Sequence, residues 1–316
     1  TPNAIKEILR AAVPDDTAEA IIDVGAKPVF VNINETLNMD PSELESAITD
    51  KTAVIIPVHM LGVAAEQDKI HIIAKKYKIP VLDDACESLG AEWGNEKLGV
   101  QSDISAWSFD AGKTVIAGEG GMITTNNRKL YLLAREYHDH GHMLNENLPR
   151  GRDRHRIYGF NYRMTEIQAV IAKVQLEKLD YIVEKNRKNY SIIESKLLEI
   201  KGLKLRKIPS KCKPLCDTLI IQFDSKNTAN KFVEKLQRKG FSTKNVPDAI
   251  EWHFAKYWGH MLKEIEVTLK NLQSNLKRTS DIIECCVALP IMVKPNFYQM
   301  NQQSNDIKKI VIESIK

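Results

Sequence analysis

The stretch "SFDAGKTVIAGEGG" (Ser108–Gly121) poses the main question of the sequence. Its Gly112-Lys113-Thr114 matches the end of a P-loop, G-x-x-x-x-G-K-[ST], whose glycines let backbone N–H groups wrap nucleotide phosphates. The first glycine of that pattern would stand at position 107, which is Trp107. Because a tryptophan there blocks the close approach of the backbone, the stretch does not favour nucleotide binding. Lys113 therefore needs another role.

The residues around this stretch alternate between strand and helix patterns. Asp40–Ile48 reads as a helix start, with Asp40 as the cap and Pro41 in the first turn. Further helices are predicted over Glu66–Lys78 and from Arg128. Such alternation predicts an α/β fold with a mostly parallel sheet. The predicted strands are Lys27–Ile33, Thr52–His59, Ile79–Ala85, Asp103–Phe109 and Gly121–Asn126.

The second half of the chain has a different pattern. Met143–Met164 is polar and basic and reads as a loop, and one long amphipathic helix is predicted over residues 165–195. Short strands and helices follow, which indicates a smaller α+β domain. We predict a large domain over residues 1–184 and a small C-terminal domain over residues 185–316. The predicted strands of the small domain are Leu203–Ile208, Thr218–Phe223 and Cys286–Met292.

Asp83-Asp84 and Lys113 each follow a predicted strand. Ligands of parallel sheets bind at the carboxyl ends of the strands, so both can face one crevice. A lysine there is a candidate Schiff-base former, because burial and cationic neighbours free its amine as a nucleophile. An aspartate on a neighbouring strand end suits the pyridinium nitrogen of pyridoxal phosphate. Ser108 could hydrogen-bond the cofactor phosphate. Spacing alone leaves open that Asp84 only caps a turn.

Four stretches together carry a resemblance to a known family. They resemble the DegT/DnrJ/EryC1/StrS aminotransferases, from about Asp23 to Asp180 and weakly to Leu289–Ile291. The resemblance implies a fold-type-I (aspartate aminotransferase-like) enzyme that uses pyridoxal phosphate and acts on keto-sugars. The stretches are "VLDDACESLGA", "SFDAGKTVIAGEGGMITTN", "REYHDHGH" and "GFNYRMTEIQAVIAKVQLEKLD".

The same resemblance assigns roles to matching residues. It implies that Lys113 forms the Schiff base, that Asp84 pairs with the pyridine nitrogen, and that Ser108 contacts the phosphate. Asn161 matches the asparagine that reaches the phosphate in the neighbouring subunit, which implies a homodimer with active sites at the interface. Glu87 stands where the family has a glutamine beside the cofactor phenolate. Two negative groups there repel each other unless one is protonated.

A finer resemblance in Thr243–Leu262 suggests the substrate. This segment is similar to enzymes that make 8-amino-3,8-dideoxy-manno-octulosonate, which implies amine transfer from glutamate to C8 of a keto-sugar acid, for lipopolysaccharide. Trp252, His253, Trp258 and His260 are then substrate residues, with core packing as an equal alternative. We further predict substrate contacts from His59 and Arg163.

The sequence departs from the family pattern near its start. The family has a longer N-terminal segment with a Gly-Thr turn at a helix N-terminus that holds the phosphate. The sequence has no counterpart of that turn, and no aromatic residue to stack on the cofactor follows Val13-Pro14. We therefore expect that the N-terminal part of the family fold is missing and that cofactor binding is weakened.

Composition narrows the remaining classes. Lys+Arg is 45 and Asp+Glu is 41, so the net charge of +4 does not indicate a nucleic-acid partner. Five cysteines fit no full disulfide framework and suggest a reducing cytoplasm. No apolar run approaches the roughly 20 residues of a membrane span, and no signal peptide is visible. We expect no metal at the alternating histidines of "HDHGH" (residues 138–142), and we interpret the basic Pro149–Arg156 as an interface loop.

Two alternatives to the aminotransferase remain. Sugar dehydratases of this family replace the lysine by histidine, so Lys113 argues against that activity. A non-catalytic protein of the same fold, acting as a truncated partner subunit, is favoured by the N-terminal departures. The retained Lys113, Asp84, Ser108 and Asn161 oppose it.

Overall fold

The computed structural model describes residues 7–11, 16–262 and 274–316. Predicted strands and helices are found at the expected places in the first half, with ends shifted by a few residues. The strands are β1 (Glu7–Ala11), β2 (Lys27–Val31), β3 (Thr52–Ile56), β4 (Leu82–Asp84), β5 (Glu92–Trp93), β6 (Glu96–Lys97), β7 (Ile104–Ser108), β8 (Gly121–Thr124), β9 (Lys204–Leu205), β10 (Cys212–Lys213), β11 (Thr218–Gln222) and β12 (Cys286–Pro290).

The helices complete the layers on both sides of the sheet. Asp40 caps α2 as predicted, because its side chain accepts a hydrogen bond from the Ser42 N–H and Pro41 fills the first turn. The α-helices are α1 (Asp16–Asp23), α2 (Pro41–Ala47), α3 (Gln67–Tyr77), α4 (Arg128–Tyr137), α5 (Glu166–Leu176), α6 (Leu179–Leu197), α7 (Lys226–Arg238), α8 (Ile250–His253), α9 (Gly259–Leu262), α10 (Lys277–Ile283) and α11 (Phe297–Ile315), with short 3-10 turns at Met60–Gly62, Arg150–Arg152 and Ala255–Tyr257.

The large sheet has the strand order β2-β1-β3-β4-β7-β8. β1 pairs in parallel with β2 and β3, and β4 pairs in parallel with β7. Parallel bridges Ile55–Val81 and Val58–Asp84 join β3 to β4, whereas β8 runs antiparallel to β7. The prediction of a mostly parallel sheet is therefore confirmed. This order places the carboxyl ends of β4 and β7 side by side, with Asp84 and Ser108 as their last residues.

The predicted single helix over residues 165–195 is wrong, because the chain forms α5 and α6 there. The amide of Lys178 bonds to the carbonyl of Gln175 at 3.0 Å, so the last turn of α5 tightens before α6 begins. The break lets Ala172 pack beside Phe109, while Val183 packs beside Trp93. Ala172 of α5 and Val183 of α6 thus pack into different hydrophobic clusters.

The C-terminal part contains an antiparallel sheet in the order β12-β11-β9. Its core is formed by α6, α7 and α11 with the sheet, around residues such as Ile221 and Phe232. A second core joins both halves of the chain, since Ile33 and Trp258 belong to one buried cluster. The predicted boundary between residues 184 and 185 falls inside α6 and stays a prediction.

Candidate active site

Lys113 lies in the loop that connects β7 to β8. The loop is closed by Asp110, whose side chain accepts the Gly112 N–H at 2.6 Å and whose carbonyl accepts the Lys113 N–H at 3.1 Å. The chain then continues to the antiparallel strand β8 and forms no helix after Thr114. A P-loop lysine precedes a helix, so the local structure agrees with the exclusion of that motif.

The side chain of Lys113 faces a cavity of about 510 Å³. Residues of the β7–β8 loop form one wall, and residues after position 216 form the other. The cavity therefore brings together parts of the chain that are far apart in sequence. Its lining is Glu87, Ser108, Asp110, Gly112, Lys113, Thr114, Glu119, Asp217, Lys244, Asn245, Ala249, Trp252 and His253.

Glu87 forms an ion pair with the amine of Lys113, with 3.7 Å between Oε1 and Nζ. Its Oε2 accepts the backbone N–H of Leu61 at 2.9 Å, and its Oε1 accepts the Nδ2 of Asn245 at 3.0 Å. Burial raises the pKa of Glu87, but Lys113, the Leu61 N–H, Lys244 and His253 together outweigh burial and lower the pKa below its usual value. Glu87 is therefore a carboxylate at neutral pH.

The backbone at Leu61, whose N–H bonds to Glu87, is itself hydrogen-bonded by a buried arginine. Leu61 has a φ of 49°, which is the left-handed region that branched side chains rarely adopt. Arg206 donates from Nη1 to the Leu61 carbonyl at 3.2 Å and from Nε to the Thr36 carbonyl at 2.7 Å. Arg206 is only 8% exposed, and burial lowers its pKa to about 10, so it stays a cation.

Asp84 ends β4 and does not line the cavity. It is 9% exposed, and its carboxylate accepts hydrogen bonds from the Thr17 hydroxyl and from the Cys86 N–H. Burial raises the pKa of the Cys86 thiol, the charge of Asp84 raises it further, and the charge of Lys113 lowers it. The charges of Asp84 and Lys113 therefore both act on Cys86. The bond to Cys86 N–H is also what a turn cap would make.

Ser108 joins Lys113 at the cavity, as the sequence suggests. It is the last residue of β7, and its hydroxyl accepts the Asp110 N–H at 3.2 Å. A hydroxyl used as an acceptor keeps its own hydrogen for donation. Ser108 can therefore donate to an anionic group in the cavity.

The opposite wall carries two of the predicted substrate residues. Trp252 is 69% exposed and His253 lies beside it on α8. Next to them, Lys244 donates to Asp217 at 2.6 Å. The wall thus offers an exposed aromatic side chain and a cationic donor, Lys244.

The other predicted substrate residues lie elsewhere. His59 is fully buried, where its Nδ1 accepts the Ala65 N–H at 3.0 Å. Trp258 is 1% exposed in the core against Phe30, and His260 is exposed but does not line the cavity. For Trp258 the alternative of core packing describes its position.

Asn161 and Arg163 also lie away from the cavity. Both are exposed, and Arg163 donates to Asn161 Oδ1 at 2.8 Å. Asp139 anchors this region, because it binds Arg150 through two hydrogen bonds and lies 3.4 Å from Arg163. A role of Asn161 at a neighbouring subunit's cofactor stays a prediction.

Sequence reasoning missed Asn245, Lys244 and Arg206. The first two stand in the quoted segment Thr243–Leu262, but only its aromatic and histidine residues were singled out. Arg206 had no signal in the sequence, because an arginine within a short strand pattern is usually exposed. Their proximity to Glu87 and Leu61 arises from tertiary folding alone.

Comparison with known proteins identifies the chain at the level of a family. Residues 16–305 match the model of the DegT/DnrJ/EryC1/StrS aminotransferase family. The chain belongs to this family. The family is dependent on pyridoxal phosphate, so the predictions of an enzyme and of this cofactor are confirmed. The predicted gap in the phosphate-binding segment, and Val13-Pro14, lie outside the described residues and stay predictions.

Relatives of the chain differ in how much of their length it matches. An uncharacterised protein of Methanocaldococcus jannaschii is 31% identical over 94% of the chain and 77% of that protein. The GDP-perosamine synthase of Caulobacter vibrioides is 39% identical over 52% of the chain and 43% of the enzyme. The UDP-2-acetamido-2-deoxy-3-oxo-D-glucuronate aminotransferase of Pseudomonas aeruginosa is 40% identical over 51% of the chain and 44% of the enzyme. These two enzymes are matched over less than half their length.

Solved structures confirm the fold. An aminotransferase of Psychrobacter cryohalolentis superposes with a TM-score of 0.88 at 24% identity, over 99% of the chain and 83% of that protein. A Helicobacter pylori aminotransferase involved in pseudoaminic acid biosynthesis superposes with a TM-score of 0.84 at 21% identity, over 99% of the chain and 82% of that protein. The fold-type-I prediction is confirmed.

The described residues fit pyridoxal phosphate. The fit rests on an amine that faces a cavity, a hydroxyl with a hydrogen to donate, and a buried carboxylate at the end of the adjacent strand: Lys113, Ser108 and Asp84. The lining also carries the cation Lys244. In the parts of the chain that the structure describes, no helix is long and apolar enough to cross a membrane.

Proposed function

We propose that this chain transfers an amine from glutamate to a carboxylate-bearing keto-sugar, at C8 of an 8-keto-3-deoxy-octulosonate, for lipopolysaccharide synthesis. The observation that supports it most is the cavity in which the Lys113 amine faces a wall of Lys244, Trp252 and His253. An aminotransferase needs a lysine beside its cofactor, and an acidic sugar needs cationic donors and a flat apolar face.

On the cofactor side, Lys113, Asp84 and Ser108 would each have a separate role. Pyridoxal phosphate, when bound, supplies a carbonyl that condenses with amines and a ring that withdraws electrons. Lys113 would bond to it, and its free amine would carry a proton at Nζ while the cofactor holds a substrate. Asp84 would hold the pyridinium N–H by charge and hydrogen bond. Ser108 would donate its hydroxyl to the phosphate.

The substrate side favours an anionic sugar. Lys244 uses one donor for Asp217 and has further ammonium hydrogens that a carboxylate can accept. Trp252 lines the cavity and is 69% exposed, so its ring can pack on the apolar face of a sugar ring. The matched Pseudomonas enzyme is named for a glucuronate, and the Caulobacter enzyme for a GDP-sugar. The octulosonate itself is supported by the resemblance in Thr243–Leu262.

A homodimer is part of the proposal. Helix α5 exposes Ile167 at 75%, Val170 at 60% and Val174 at 45%, so one of its faces is apolar and open. Nearby, Phe160 and Tyr162 stack with their ring centroids 5.4 Å apart. An exposed apolar patch of this kind usually marks a protein interface. Two copies that pair here would bring the exposed Asn161 toward a neighbouring cavity.

The test is an amine-transfer assay with three keto-sugars. Cofactor-loaded protein is mixed with glutamate and with 8-keto-3-deoxy-octulosonate, a UDP-3-keto-glucuronate or a GDP-4-keto-sugar, and the amino-sugar is quantified by mass spectrometry. The proposal expects turnover that is highest with the octulosonate and absent in Lys113→Ala. Preference for a nucleotide sugar would overturn the substrate. Lack of turnover with each sugar, from a protein that binds cofactor, would support the non-catalytic alternative.

A further inference from the structure

A carboxylate beside the reactive lysine has consequences for the lysine. Glu87 Oε1 is 3.7 Å from Lys113 Nζ, and the side chain of Glu87 is only 11% exposed. At that distance a negative charge favours the ammonium form of a lysine, which is not nucleophilic. The cavity must supply a neutral lysine amine, yet it holds a carboxylate that favours the protonated form of that amine.

The fold fixes Glu87 from two sides. On one side, the Leu61 N–H donates to Oε2 of Glu87, and Arg206 donates to the carbonyl of Leu61. From the C-terminal part, Asn245 donates to Oε1. Donors that point at a carboxylate favour its charged form. Within the described part of the chain, the second terminal nitrogen of Arg206 has no hydrogen-bond partner, and the charges of Arg206 and Glu87 attract each other.

We propose that Glu87 is a positioning residue for Lys113. The negative charge of Glu87 is held in place by Leu61, Asn245 and Arg206. Because of this charge, Lys113 becomes neutral only at a higher pH than it would beside an amide at position 87. This inference rests on the proposed function, because it concerns the lysine that bonds the cofactor. It assigns Glu87 a role in setting when the site can capture cofactor.

Other charges face the same amine and enter the balance. The remaining lining groups are two acids of the loop, Asp110 and Glu119, together with Asp217, Lys244 and His253. Asp217 is neutralised by Lys244 at 2.6 Å, and Glu119 is exposed to solvent. Water screens an exposed charge more than a buried one. Among the described residues, Glu87 is thus a buried acid in a direct ion pair with Lys113, at 3.7 Å.

The experiment measures how fast Lys113 is acetylated by a trace of acetic anhydride as pH is varied. Cofactor-free protein is used, and the peptide that contains Lys113 is quantified by mass spectrometry. Only the neutral amine reacts, so the midpoint of the rate reports its appearance. In Glu87→Gln we expect the midpoint to fall by about one pH unit, because an opposite charge within 4–6 Å shifts a pKa by roughly 1–3 units.

Two further variants separate charge from shape. Glu87→Asp keeps the charge and should keep the midpoint within about half a unit of wild type. Glu119→Gln removes a charge from the same cavity without the close pairing, and should leave the midpoint in place. The inference is overturned if Glu87→Gln titrates like wild type, or if Glu119→Gln moves the midpoint as far. Failure of the proposed function would appear separately, as cofactor bonded to another lysine.

Discussion

Asn245 donates a hydrogen bond from Nδ2 to Glu87 Oε1 at 3.0 Å, across 158 positions of sequence. The bond ties the segment that carries Trp252 and His253 to the carboxylate that faces Lys113. A side-chain contact thus joins residues on the two sides of the cavity. Any movement of the C-terminal part relative to the sheet would strain or break the hydrogen bond from Asn245 to Glu87.

Asp84→Asn should slow the reaction with glutamate while leaving the fold intact. Loss of the negative charge would let the pyridine nitrogen lose its proton, so the ring would withdraw electrons less strongly. We expect the rate of the glutamate half-reaction to fall by about a hundredfold, roughly 2.7 kcal/mol of transition-state stabilisation. Stopped-flow absorbance of the bound cofactor measures it. A rate equal to wild type would show that Asp84 only caps the turn at Cys86.

Lys244→Gln should weaken binding of the acidic keto-sugar selectively. A hydrogen bond to a charged group contributes roughly 1.5–3 kcal/mol, so KM for the sugar should rise by about tenfold or more. The glutamate half-reaction should change by less than about threefold. Steady-state kinetics with each substrate varied provide the measurement. Lys256→Gln is the control, because Lys256 pairs with Glu284 at 2.8 Å and does not line the cavity.

Val170→Glu should convert the proposed dimer to a monomer. Val170 is 60% exposed on α5, and a charge buried there at an interface would be left unpaired. Sedimentation velocity should show the mass of one chain, and cofactor should dissociate faster if Asn161 reaches the other cavity. Ile72→Glu changes an isoleucine that is 70% exposed on α3 and should stay dimeric. An unchanged dimer in Val170→Glu would place the interface elsewhere.

The stabilising effect of Asp139 on the fold should be lost in acid. The hydrogen bonds from Arg150 lower the pKa of Asp139 to about 2, although burial opposes them. A depressed pKa stabilises the fold above the unfolded value near 3.9, and this stabilisation is lost as pH falls toward 2. Since Arg150 is half-exposed, we expect Asp139→Asn to cost about 1–2 kcal/mol at pH 7.

Urea unfolding of wild type and Asp139→Asn between pH 5 and pH 2 tests this. The difference in unfolding free energy between the two proteins should shrink across that range. Asp180→Asn is the control, because Asp180 is 96% exposed and should show no such difference. A gap that stays constant with pH would mean that Asp139 acts by shape and not by charge.

The sequence predicted the parts of the fold that depend on neighbours along the chain. Asp40 caps α2 because a side chain and an N–H two residues on suffice for a cap. Asp84 and Ser108 end adjacent strands because parallel strands point their carboxyl ends to one edge. The loop of Lys113 follows from the same rule.

Other features depend on contacts between distant residues and left no local signal. Trp252 and Trp258 stand six positions apart in one segment, yet the first is 69% exposed and the second 1%, because Trp258 packs into a buried cluster and against Phe30. The break between α5 and α6 escapes a periodicity argument, because Glu177 and Lys178 both keep helix-like backbone angles. Arg206 reaches Leu61 across 145 positions.

The most direct measurement is to identify the lysine that bonds the cofactor. The protein is incubated with pyridoxal phosphate, reduced with borohydride and digested, and the phosphopyridoxyl peptide is located by mass spectrometry. The account predicts one modified residue, Lys113, and no stoichiometric label in Lys113→Ala, with Lys244→Gln labelled as wild type. Label on Lys244 or another lysine, or full labelling of Lys113→Ala, would contradict it.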